Sequence, residues 1–121
     1  MRTGLTGTAG LVVGERDTAV ALGSGEVPVL GTPRVVALAE EATVAAVQGE
    51  LGEGETTVGV HVDLEHLRPS AVGADVQAEA TLTGVDGRRL TFAVSVTQDG
   101  REVARGVVER VVVDRSSFAG D

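Results

Sequence analysis

The 121-residue chain contains no cysteine, lysine, tryptophan or tyrosine, and its only aromatic residues are Phe92 and Phe118. Without cysteine there is no disulfide framework, no thiolate nucleophile and no sulfur-ligated metal, and two histidines cannot by themselves close a zinc site. Neither a metal nor a separate cofactor is expected. The lack of lysine excludes Schiff-base chemistry through that side chain. With so few aromatics there is little on which bases could stack, and a net charge of −8 opposes a phosphate backbone, so nucleic acid is not an expected partner. No apolar run approaches the roughly 20 residues that span a bilayer. The N-terminal stretch MRTGLTGTAG also lacks the long apolar segment of a secretory signal, which predicts a cytoplasmic protein with no membrane partner.

What remains is an aliphatic chain, rich in Val, Ala and Leu, of a length that suits one core. A single domain is expected over residues 1–121, with a loose tail from about residue 114. Residues 5–22 carry two short β-like segments, LTGTAGLVV and TAVAL, joined by GERD, and GSGEVPVLGTP then reads as a Gly/Pro loop. The spacing predicts one long helix over residues 33–48, with Thr32 as N-cap and Pro33 as first helical residue. Further on, ADVQAEATLT puts Val76, Ala78, Ala80 and Leu82 on one face of a strand, and RRLTFAVSVTQ does the same with Leu90, Phe92, Val94 and Val96. REVARGVVERVVVD alternates less cleanly, as a central strand covered on both faces does. Asp86-Gly87 and Asp99-Gly100 are hairpin signals, because these residues tolerate positive φ. One apolar helix wrapped by a curled antiparallel sheet makes the fold class α+β.

Three polar residues stand in apolar company. In TTVGVHVDLEHLRP, strict alternation sets Val58, Val60, Val62 and Leu64 in one row and ends that row in His66. On the helix, Arg34, Glu41 and Gln48 form a polar stripe, whereas Glu40 lies about 100° from Glu41, on the side of Val36, Thr43 and Val47. A carboxylate there has to be paired, hydrogen-bonded or raised in pKa. Taken singly, each has an ordinary explanation: Glu40 reaches water from the edge of the apolar face, His66 is a core histidine bonded to a carbonyl, and Thr32 caps the helix. Taken together, a hydroxyl, a carboxylate and an imidazole are the parts of acyl-transfer hydrolysis: a nucleophile or its water, a base to activate it, and a group to orient the base.

The run GTPRVVALAEEA, the turn GEGETTVG, the strand VGVHVDLEHLRPSAVG and the three-stranded meander after it resemble the hotdog-fold thioesterases, in particular the fluoroacetyl-CoA thioesterase group. The likeness covers roughly residues 5–113. It implies a hotdog fold, a long central helix wrapped by a curved antiparallel β-sheet. It also implies a homodimer, or a higher oligomer built from it, whose sheets join and whose active sites combine residues of both chains. Thr32, Glu40 and His66 match the group's catalytic set in order and spacing. The implied roles are His66 as general base or acid, Glu40 as its orienting carboxylate or as direct attacker, and Thr32 as nucleophile or water-positioning hydroxyl. Gly59 and Val36 are the implied substrate-side residues.

The implied reaction is hydrolysis of a small or medium acyl-CoA thioester, with CoA part of the substrate. The group's fluoroacetyl specialists carry aromatic residues as a lid before the helix. The corresponding LGSGEVPVLG is shorter and has none, so a more open, less selective pocket is expected. Phosphates of CoA need arginine contacts, for which Arg68, Arg88, Arg89, Arg101 and Arg105 are candidates. An acidic carrier protein would be repelled by the net negative charge. The competing readings are a non-catalytic hotdog module that binds an acyl thioester or another small hydrophobic ligand, and a hydratase or dehydratase, whose own motif is not present.

Overall fold

The computed structural model describes residues 1–119. Five strands, β1 (Thr6–Val12), β2 (Glu55–His66), β3 (Asp75–Asp86), β4 (Arg89–Gln98) and β5 (Arg101–Asp114), form one antiparallel sheet in the order β1-β3-β4-β5-β2. A 16-residue helix, α2 (Thr32–Val47), lies across it, and two short helices, α1 (Ala19–Leu22) and α3 (Arg115–Ala119), flank the chain ends. This is the α+β arrangement expected. The alternating rows Val76–Leu82 and Leu90–Val96 are buried together with Leu38, Ala39, Ala42 and Val47 of the helix. Asp99 and Gly100 have φ of 51° and 76°, the double positive φ that a two-residue type I′ hairpin demands.

Close packing fixes where the helix lies. A side chain at Gly7 of β1 would collide with the helix backbone at Ala42 and Ala46, so glycine facing alanine lets α2 settle directly onto that strand. The helix packs chiefly on β1 and β3 and only lightly on β5 and β2, which leaves part of the concave face of those two strands open. Register shifts in β2 between Gly59 and His61, in β3 between Leu82 and Gly84, and in β5 opposite Val96 and Thr97 help curl the sheet around the helix.

Four local expectations need correction. TAVAL is not a strand: the Thr18 hydroxyl accepts a bond from Ala21 N at 3.2 Å, and Gly23, at φ 72°, ends the single helical turn α1. Five residues are too few for periodicity to outweigh a Thr cap and a glycine stop. The N-cap of α2 is Gly31; Thr32 is already helical, and its side chain makes no capping bond. The row Val58–Leu64 is not continuous either. Gly59 pairs with Arg110 and His61 with Glu109, so Val60 is an extra residue and the faces exchange there. Thr57, Gly59, Val62, Leu64 and His66 therefore lie across from Val112, Arg110, Val108, Gly106 and Ala104 on the helix side, while Val58 pairs with Val111 on the other. Lastly, the segment after Asp114 begins with the helical turn α3, and the final two residues of the expected tail lie outside the described residues.

Candidate functional site

Thr32 and His66, 34 residues apart in the chain, meet at the mouth of a depression. The first turn of α2 is set by Gly31, whose N–H bonds Asp17 O at 2.9 Å, and the side chain of Thr32 is thereby left free of capping duty. Its Oγ1 lies 2.8 Å from His66 Nδ1. The other ring nitrogen, Nε2, is buried and has no hydrogen-bond partner within the chain. Burial lowers the His66 pKa below its ordinary 6.5, with the Arg68 backbone acting in the opposite direction, so the imidazole is neutral at pH 7. A neutral imidazole in contact with a hydroxyl is a base placed against a nucleophile. The depression encloses about 260 Å³ between these two side chains, Ala19, Val29 and Leu30 on one side and Leu67, Arg68 and Pro69 on the other. No aromatic residue lines it.

Glu40 belongs to a second constellation. Thr32, Val36 and Glu40 follow one another at one-turn intervals along a strip of α2, which puts Glu40 about 12 Å beyond Thr32 along the axis. There its Oε2 is 3.2 Å from Nη1 of Arg110. Arg110 is only 7% exposed, yet its other nitrogens are also satisfied: Nε donates to Thr57 Oγ1 at 2.8 Å and Nη2 to Thr57 O at 3.0 Å. Burial lowers the Arg110 pKa, and the Glu40 charge and hydrogen bond work against that shift. Gly59 completes the cradle, because a Cβ at that position would overlap Glu40 Oε2. The carboxylate, with a third of its side chain still exposed, faces a depression of about 390 Å³ bounded by Ala37, Glu41, Val44 and Arg110.

Within one chain, then, the structure joins Thr32 to His66 and Glu40 to Gly59, but does not join the two pairs. Gly59 and His66 stand opposite Arg110 and Ala104, roughly 20 Å apart along β5. Val36, half-buried between the pairs, is the expected residue nearest to both. Arg110 was absent from the sequence-based candidates. Its signal was an arginine inside the run VVERVVVD, on the same parity as the core residues Val108 and Val112. Among the described residues, no group of three or more side chains is arranged to hold a metal, and no helix is long and apolar enough to cross a membrane.

Known proteins resemble this chain in sequence and in fold. Residues 13–116 match the model of the fluoroacetyl-CoA-specific thioesterase family. The fluoroacetyl-CoA thioesterase of Streptantibioticus cattleyicolor is 33% identical over 90 residues. That alignment covers 74% of this chain and 65% of that protein, so the chain matches a little under two thirds of its relative's length. Among solved structures, a point mutant of a fluoroacetyl-CoA-specific thioesterase in complex with fluoroacetate and CoA superposes with a TM-score of 0.90 at 31% identity, covering 98% of this chain and 99% of that one. A hot-dog-like protein from Thermanaerovibrio acidaminovorans gives 0.88 at 26% identity, covering 98% and 87%.

Proposed function

The chain belongs to the fluoroacetyl-CoA-specific thioesterase family, and on that premise we propose that it hydrolyses a small or medium aliphatic acyl-CoA to the free acid and CoA. The observation that carries the chemistry is the 2.8 Å contact between the Thr32 hydroxyl and Nδ1 of a partly buried, neutral His66. His66 draws the proton from a water held by Thr32 as that water attacks the thioester carbonyl, and returns it to the departing thiolate; where Thr32 itself attacks, the acyl-threonine ester that forms is hydrolysed by a water that His66 activates in turn. The apolar walls from Ala19, Val29, Leu30 and Leu67 suit an aliphatic acyl group. With no aromatic residue among them, selectivity for fluoroacetyl over acetyl is not part of the proposal.

Two features favour a homodimer as the working unit. Strand β2 is an edge of the sheet, with Val60 and Val62 48% and 37% exposed along it, so a second copy can extend the sheet there. Within one chain Thr32 and His66 also lack the orienting carboxylate of a triad, and a second copy can bring its own Glu40 to them. In this reading Glu40 of one chain serves Thr32 and His66 of the other, and Arg110 holds the Glu40 carboxylate in place. An acyl-CoA substrate implies the cytoplasm as the working compartment.

The test is thiol release from a panel of acyl-CoAs, acetyl and fluoroacetyl through medium-chain, with His66→Ala beside the parent chain. Release that depends on His66 is the expected result. Saturable binding without release from any member would overturn the proposal in favour of an acyl-binding module.

A further inference from the structure

Five arginines were open candidates for the phosphates of the CoA moiety, and the ion pairs divide them. Arg88 is paired with Glu55, Arg89 with Glu109, and Arg105 with both Glu102 and Glu65. Arg68 and Arg101 have no carboxylate within 4 Å among the described residues, in a chain where acidic residues outnumber arginines by 18 to 10. Both line one cleft of about 170 Å³, together with Pro69, Gln98, Asp99 and Val103. Arg68 and Pro69 also wall the depression that holds Thr32 and His66, so the cleft continues that depression outward.

The arginines are also spaced outward from the reacting group. Arg68 follows His66 by two residues, and Arg68 Nη1 donates to Glu102 O at 2.7 Å, which fixes one edge of the guanidinium. Arg101 lies farther out. His66 stands opposite Ala104, and Arg101 is three residues further along β5, about 10 Å before its own side chain is counted. Coenzyme A has the same sequence of parts: thioester, pantetheine arm, diphosphate, then the 3′-phosphorylated ribose.

Resting on the thioesterase reading above, we propose that the cleft between Arg68 and Arg101 is the nucleotide end of the substrate site. Arg68 binds the diphosphate and Arg101 the 3′-phosphate. Asp99, on the same wall, tempers the positive potential and sets an upper limit on affinity.

The experiment compares kcat/KM for one acyl group carried on CoA, on dephospho-CoA and on pantetheine. Arg68→Ala and Arg101→Ala should each lower the CoA-to-pantetheine ratio, on the order of tenfold or more, as loss of a charge-assisted hydrogen bond does. Removing the 3′-phosphate from the substrate should abolish the effect of Arg101→Ala and keep that of Arg68→Ala. Arg89→Ala, on an already paired arginine, should leave the ratio unchanged. Ratios in both cleft variants equal to the parent's would overturn the inference while leaving the thioesterase reading intact. Failure to release thiol from any of the three carriers would instead count against that reading. The cleft is then judged by calorimetric titration with coenzyme A itself: weaker binding in both variants supports it, and undiminished binding overturns it.

Discussion

At the first turn of α2, Thr32 and His66 meet at a solvent-accessible mouth through one hydrogen bond, with the histidine neutral. Two turns further on, Glu40 meets an arginine that is almost wholly buried and bonded three ways. The first pair costs the fold little and depends on geometry; the second takes a charge out of water and has to be satisfied in full. The difference separates what can be altered for chemistry alone from what cannot be touched without loosening the sheet.

The sharpest way to break that separation is to ask whether both pairs serve one site. His66→Ala and Glu40→Ala should each lose thiol release by about 10²–10⁴-fold, the usual worth of a positioned acid or base. Co-expressed, the two inactive chains should recover roughly a quarter of parental activity, because half of randomly formed C2 dimers are mixed and each of these keeps one intact site. No recovery from mixed dimers of confirmed composition would mean that the pairs do not work across the interface.

Next in size is stability. Arg110→Ala leaves Glu40 and Thr57 without their partner and should cost about 3 kcal/mol in denaturant unfolding. Thr32→Val should cost under about 0.5 kcal/mol, since that hydroxyl caps nothing. Equal losses would erase the distinction between the two ends. Gly59→Ala sharpens it from the other direction. Its methyl group displaces a flexible carboxylate rather than backbone, so activity should fall by about tenfold or more while the melting temperature moves by only a few degrees. A comparable methyl at Gly7 meets helix backbone and should chiefly destabilise.

The smallest effect is on pH. His66 has a folded pKa below the unfolded 6.5, so below that pH the unfolded chain binds the proton more readily. The stability associated with neutral His66 is present above pH 6.5 and is lost as pH falls towards the lowered folded value.

The contrast also explains what was legible in the sequence. The strands after Gly73 could be read because strict alternation, from Val76 to Leu82 and from Leu90 to Val96, reports a face buried against a helix. Thr32 and His66 stood out because each interrupts or borders an apolar pattern. Arg110 did not, because a buried cation is recognised only through its acceptors, and Glu40 and Thr57 are 70 and 53 residues away. The short helix α1 was missed because its cap and stop residues act over single hydrogen bonds that periodicity does not sample. The expectation that Glu40 requires a partner followed from local chemistry, but the identity of that partner depended on long-range register.

Register has a further consequence at Val60. Strand β2 carries two phases of alternation, one before this residue and one after it, and His66 belongs to the second. Were Val60 instead paired in regular alternation, with the N-terminal half held in place by Thr57 and Gly59, the imidazole would emerge on the convex side of the sheet, away from Thr32. The bulge at Val60 is thus as much a determinant of the Thr32–His66 pairing as the identity of either side chain. A change that let the strand pair regularly through Val60 would disarm a sequence that still contained all the right residues.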